Sequence, residues 1–237
     1  MGDWLLAVDA STPRCVVVLG RVGEGPAAAL HADEQDDDGR RASAELHLRI
    51  ARLLEAAAIG PADLAWLGCG RGPGTFTGTR VAIAMCKGLA EATGRPLAAI
   101  STLAAVAGSV EGHAEVLAVL DARRGEVYAG AFACDGGWLR PVDVERCCAI
   151  EVALAAAPHH HVVGPGVSPN AARVPVEFAA TPLPGPTARG LWRAAVSAHA
   201  QGGPGDAAAV EATYLRDSYA ELGMNVAKRP VFRSPLV

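Results

Sequence analysis

The stretch from Gly70 to Arg80 reads Gly-Arg-Gly-Pro-Gly-Thr-Phe-Thr-Gly-Thr-Arg and constrains the chain more than any other segment. The apolar run at 64–69 ahead of it has the length of a buried strand. Residues 79–93 behind it read as a helix, stopped by Gly94 and Pro96. A strand that turns on glycines into a helix belongs to the α/β class. Such a turn offers free backbone N–H groups and a helix N-terminus, a natural anion site. The same glycines serve equally well to let backbone segments pack closely. Two familiar phosphate loops are excluded. Gly78 is followed by Thr79-Arg80 with no lysine, and after Gly72 and Gly74 the third glycine of a dinucleotide fingerprint falls on Thr77, one residue early.

Around this loop the elements alternate in a definite order. Residues 4–9, 15–21 and 27–32 read as a three-stranded antiparallel meander. The acidic stretch 33–41 reads as a solvated loop. A helix over 43–58 follows, with Ser43 as its N-cap and Glu45 in its first turn. Leu46, Ile50, Leu53 and Ala57 recur on it at helical spacing, with Arg49, Arg52 and Glu55 mostly off the stripe. The strand 64–69, the helix 79–93, a strand at 97–100 and a helix capped by Ser101 complete a β-β-β-α-β-α-β-α order, half of an actin-like, ribonuclease-H-type fold. In the second half, strands at 115–120, 126–134 and 138–144 precede a helix at 149–157. A strand near 162 enters Gly164-Pro165-Gly166, and a helix spans 187–200. The echo of the first half implies two lobes, 1–106 and 107–237, each a mixed sheet with helices. The tail from Thr213 is free to pack back on the first.

The chain is 51% apolar and only 19% charged, enough for a sizeable core. Its net charge is −4, and no basic stripe for gripping RNA is visible. No apolar run reaches membrane-spanning length, and the first residues lack a signal peptide's basic start. The six cysteines form no Cys-x-x-Cys pair, consistent with reduced cytosolic thiols.

Candidate sites are few. Asp9-Ala10-Ser11-Thr12 closes the first strand, where Asp9 either caps a turn or faces a metal–phosphate group. With Gly72, Gly74, Thr75 and Gly78, the residues Asp9, Ser11 and Thr12 are the candidate nucleotide or anion contacts. Val81, Ala84, Met85 and Gly88 make a small-residue stripe on the second helix. That stripe and Leu46, Ile50, Leu53 and Ala57 are either core or a seam for another subunit. His47 stands alone, with Ser43 and Ala51 four residues to either side, so no metal pair is present on that helix. His159-His160-His161 follows Pro158 and reads as a solvent loop. Asp121 and Glu126 are either paired carboxylates or turn and strand residues.

The motifs come together as a resemblance. Gly70 to Arg80 followed by Lys87-Gly88-Leu89-Ala90, then Pro96 and Ile100-Ser101-Thr102-Leu103, resembles the bacterial TsaB (YeaZ) family. Asp9-Ala-Ser-Thr12, Asp121-Ala-Arg-Arg-Gly-Glu-Val-Tyr128 and Tyr214-Leu215-Arg216 match further family motifs in order, nearly end to end. Ala42-Ser43 and Ala212 depart from the family's usual His-Ser and Pro.

The resemblance implies an actin-like (ASKHA) two-lobe fold and a cytoplasmic, non-catalytic partner of the TsaD-type subunit that makes threonylcarbamoyladenosine (t6A) on tRNA. It also implies a TsaE-type ATPase in the same system, tRNA contact only through the complex, and a partner seam built from the first two long helices, through which homodimers also form. It further implies no cofactor of the chain's own, with ATP or ADP at the shared surface. The alternatives are an actin-like ATPase or small-molecule kinase using Asp9, and a metalloprotease-like enzyme.

Overall fold

The computed structural model describes residues 3–36, 45–202 and 205–216. Ser43, expected as an N-cap, and residues 37–41 of the expected acidic loop lie outside them. The first half contains β1 (Trp4–Asp9), β2 (Arg14–Arg21), β3 (His31–Asp36), α1 (Leu46–Ala56), β4 (Leu64–Gly70), α2 (Phe76–Thr93), β5 (Leu97–Ile100) and α3 (Thr102–Ala107). Its sheet runs β3-β2-β1-β4-β5, antiparallel across the meander and parallel from β1 to β5. The second half contains β6 (Glu115–Arg123), β7 (Glu126–Asp135), β8 (Trp138–Pro141), β9 (Arg146–Ala149), α4 (Ile150–Ala156), β10 (His161–Val163), β11 (Ala180–Thr181) and α5 (Ala188–Gly202). Read from β8, its sheet runs β8-β7-β6-β10-β11, with β9 also paired to β7. Both halves therefore repeat one order: three antiparallel strands, then two parallel ones.

β1 is buried on both faces because side chains alternate across a strand. Leu6 and Val8 face α1 and α2, joining Leu46, Ile50, Leu53, Ala82 and Cys86 in one core. Leu5 and Ala7 face the other way, onto Leu191, Trp192, Ala195 and Val196 of α5. Thus α5, late in the chain, roofs the first sheet. Trp192 is fully buried, and its Nε1 donates to the Gly25 carbonyl at 2.9 Å. α3 closes the second sheet with Leu103, Val106 and Ala107 against Val116, Ala118 and Phe132. Gly190 lets α5 cross α3, since a Cβ there would lie 2.3 Å from the Ala105 carbonyl oxygen.

Several expectations shift. β3 lies at His31–Asp36, later than expected and inside the stretch read as a solvated loop. It is an edge strand, where outward charge is tolerated and discourages further pairing. Glu34 pairs with Arg14 and Asp33 with Arg49. Arg49, expected off the helix stripe, is consequently buried. α2 starts at Phe76 rather than at 79, because the turn needs only the residues up to Thr75. The strand expected over 138–144 ends at Pro141, one residue before the Val142 N–H makes a last bond to the Ala131 carbonyl at 2.9 Å, and pairing with β7 resumes at β9. The Gly136-Gly137 hairpin stands as expected, both residues having positive φ.

Candidate functional site

The turn after β1 and the glycine loop after β4 meet at one end of the first sheet. Asp9 is fully buried. Its Oδ1 accepts from the Ser11 N–H and its Oδ2 from the Thr102 hydroxyl, both at 2.7 Å. Burial pushes its carboxyl pKa up, while these bonds pull it down. Thr102, at the start of α3, is a partner that sequence reasoning did not single out, although it sits within the Ile-Ser-Thr-Leu motif.

The glycine loop lies flat on this turn. A Cβ at Gly70 would fall 2.2 Å from Asp9 Oδ2, one at Gly74 2.1 Å from the Ser11 carbonyl oxygen, and one at Gly78 1.8 Å from that of Ala10. The Thr75 N–H donates to the Ser11 carbonyl at 2.7 Å. The Gly72 carbonyl accepts from the Thr102 N–H at 3.0 Å, and the Thr12 hydroxyl donates to the Arg14 carbonyl at 2.8 Å. The structure thus brings Asp9, Ser11, Thr12, Gly72, Gly74, Thr75 and Gly78 together. Close contact within the chain accounts for Gly70, Gly74 and Gly78, with the Asp9 side chain at Gly70 and with backbone carbonyls at Gly74 and Gly78. The Ser11 hydroxyl is buried without a hydrogen-bond partner among the described residues.

The two long helices divide differently from the expected seam. Leu46, Ile50 and Leu53 are buried in the chain's own core, and Ala57 packs against it. This corrects the assignment of Leu46, Ile50 and Leu53 as seam residues: the sheet face carrying Leu6 and Val8 must be covered, and the apolar stripe of α1 covers it. The outer side of α1 instead shows His47, Leu48, Ala51, Arg52 and Glu55. On α2, Ala84 and Gly88 are exposed and Val81 and Met85 half-buried. Among the described residues, a Cβ added at Gly88 meets nothing within 4 Å.

Residues 213–216 form a strap across the two halves. The Thr213 N–H donates to the Arg71 carbonyl at 2.7 Å. The Tyr214 hydroxyl accepts from Arg80 Nε at 3.0 Å, and the Arg80 guanidinium stacks 3.8 Å over Phe76. Phe76 and Tyr214 are both more than half exposed, at 58% and 56%. Arg216 donates to the Ala122 carbonyl at 3.0 Å and pairs with Glu126. The hairpin it grips has positive φ at Arg123, Arg124 and Gly125, and Arg173 fastens its tip through the Gly125 carbonyl. Asp121 Oδ1 accepts from the Arg123 N–H and Glu126 opens β7, so these acids shape the hairpin. The Tyr-Leu-Arg motif was legible in the sequence; its bridging of both halves was not.

Among the described residues, no group of three or more His, Cys, Asp or Glu could hold a metal ion. His161 is not in a solvent loop: it is buried in β10, stacked 3.8 Å from His113 and hydrogen-bonded to Thr181. The reason is that β10 runs between β6 and β11.

Comparison with known proteins fits this architecture. The family model described as TsaD: tRNA N6-adenosine threonylcarbamoyltransferase matches residues 38–173, more than half of the chain. An uncharacterised protein of Mycobacterium tuberculosis is 34% identical over 162 residues, covering 66% of this chain and 73% of that one. The tRNA threonylcarbamoyladenosine biosynthesis protein TsaB of Escherichia coli is 34% identical over 127 residues, 52% of each chain. A Pseudomonas aeruginosa crystal structure described as similar to peptidase YEAZ superposes with a TM-score of 0.79 at 31% identity, covering 91% of this chain and all of that one. YeaZ from the same organism superposes at 0.77 with 29% identity. The repeated two-sheet topology, the glycine loop seated on the Asp9 turn and these relatives agree, and the chain belongs to the TsaB/YeaZ family.

Proposed function

We propose that the protein is an accessory subunit of threonylcarbamoyladenosine synthesis on tRNA, docking a TsaD-type transferase through the outer face of α2. The carrying observation is that face. Ala84 and Gly88 stand exposed one helical turn apart, with Val81 and Met85 beside them. Small residues at this spacing let a second helix approach closely, and the partner's side chains fill the space above Gly88. The exposed side of α1, with Leu48 at 45% exposure, widens the surface. The same face supports self-association when the partner is absent.

The subunit performs no chemistry of its own. Both Asp9 oxygens are engaged by Ser11 and Thr102, which supports a structural role for this carboxyl rather than a metal–phosphate contact. Any nucleotide, ATP or ADP, sits at the surface shared with the transferase. A TsaE-type ATPase joins the assembly in the cytoplasm, and tRNA is held mainly by the other subunits, in keeping with the −4 charge of this one. Its contribution is a population shift: it binds the transferase's active arrangement more tightly than the inactive one.

Reconstitution tests this. The transferase and ATPase, with ATP, threonylcarbamoyl donor and unmodified tRNA, are assayed by nucleoside analysis with and without this chain. Modified adenosine should form efficiently only when the chain is present. Equal yield without it would reject the reading.

A further inference from the structure

A groove of about 720 Å³ runs between the two halves, apart from the Asp9 turn and the outer face of α2. Ile100 and Ala104 line it from the first half, Phe132 and Leu139 from the second. The strap closes one side with Thr213 and Leu215. Its volume is that of a small-molecule site.

Three charged residues line it, Arg71, Asp143 and Glu145; Asp143 is paired with Arg146, which leaves Arg71 and Glu145 as the opposite charges open to a ligand. Glu145 follows β8 and sits half-buried in the wall, where its Oε1 accepts from the Ser101 hydroxyl. Arg71 lies within the glycine loop, directly after β4, and its backbone is pinned by the Ile100 carbonyl and the Thr213 N–H. The Arg71 guanidinium is near enough for its charge to favour the Glu145 carboxylate, yet the hydrogen bond to Glu145 comes from Ser101. Beside them, the Thr213 hydroxyl is buried with no hydrogen-bond partner among the described residues. Gln201 is held at the far end by donating to the Leu139 carbonyl at 2.6 Å.

We propose that this groove binds a free α-amino acid with an apolar side chain, its carboxylate on Arg71 and its ammonium on Glu145. A ligand carrying only one charge would leave the other wall charge shielded from water and uncompensated. A zwitterion answers both, and the α-carbon substituent then lies on Ile100, Phe132 and Leu139. The Thr213 hydroxyl supplies a further bond to the ligand carboxylate. Burial holds the Glu145 carboxyl above its ordinary range, against the pull of Ser101 and Arg71. An arriving ammonium favours the ionised form, so binding strengthens as pH rises through the titration of Glu145.

The test uses the full-length protein, with leucine, valine, methionine and phenylalanine as probes in thermal-shift and calorimetric titrations. The expected result is saturable stabilisation by at least one of them, lost with its N-acetyl derivative and with its amide. Glu145→Gln, which keeps the side chain's size, and Arg71→Met should each weaken binding about tenfold or more while the melting transition stays cooperative. Absence of stabilisation by all four at about 10 mM would overturn the proposal, since even a ligand of millimolar affinity registers there. Equal binding of the N-acetyl derivative or the amide would overturn it too. Neither outcome bears on docking at α2, which is read separately from complex formation.

Discussion

Gly88→Ala separates the stability of this subunit from its docking. Gly88 lies in the interior of α2, is exposed, and has open space where a Cβ would stand. Glycine in a helix interior costs about 0.5–1 kcal/mol relative to alanine, because the unfolded chain loses more freedom on folding. With no contact to disturb, the alanine should recover that amount. In a chain of this size that is a rise in Tm of about 1–4 °C. Docking should move the other way. A methyl group forced into a close helix–helix contact costs about 1–3 kcal/mol, or roughly five- to 150-fold in Kd. The assay pairs a thermal melt of the isolated protein with a titration of the transferase by calorimetry. A variant that is more stable and binds more weakly fits the account. Unchanged Kd would refute close approach at Gly88, and a lowered Tm would refute the open space around it.

Other substitutions test the interior. Gly78→Ala places a Cβ 1.8 Å from the Ala10 carbonyl oxygen, so it should destabilise by about 3 kcal/mol or more, read as a large fall in Tm or in soluble yield. A loss under about 1 kcal/mol would mean that the loop yields freely. Arg216→Ala removes the bond to the Ala122 carbonyl and should cost about 1 kcal/mol, with faster amide exchange in the 121–126 hairpin. Unchanged exchange would show that the strap does not hold the hairpin. Asp9 has its folded pKa raised by burial, so the folded state holds its proton more tightly than the unfolded chain and loses stability as pH rises through the carboxylate range. Asp9→Asn removes that loss. Its Tm relative to the parent should therefore rise as pH increases from about 4, where an unfolded aspartate titrates, and a difference independent of pH would contradict the assignment.

Much of this was readable from the chain. The antiparallel order at each sheet's start, the glycine turn into α2 and the Gly136-Gly137 hairpin follow from local pattern and turn chemistry, which act over a few residues. Less readable was anything decided by distant packing. Leu46, Ile50 and Leu53 have the same periodicity whether they face a core or a partner, and only the bare face of β1 and β2 settles it. β3 hid because an edge strand with Asp33, Glu34 and Asp36 looks like a solvated loop until its pairing with β2 is seen. Gly70, Gly74 and Gly78 announced close approach of backbone. That they approach Asp9, Ala10 and Ser11, some sixty residues earlier, required the fold. α5 is legible as a helix, but its place over the first sheet depends on Trp192 finding Gly25.

The central claim is that the outer face of α2 docks a TsaD-type transferase. The most direct measurement is size-exclusion chromatography with light scattering, mixing the transferase with this protein and, separately, with a folded Ala84→Glu variant. The account predicts a mixed species with the mass of both subunits for the parent protein and separate peaks for the variant. Separate peaks for both, with the ATPase and ATP present, or a complex that ignores the new charge, would contradict it.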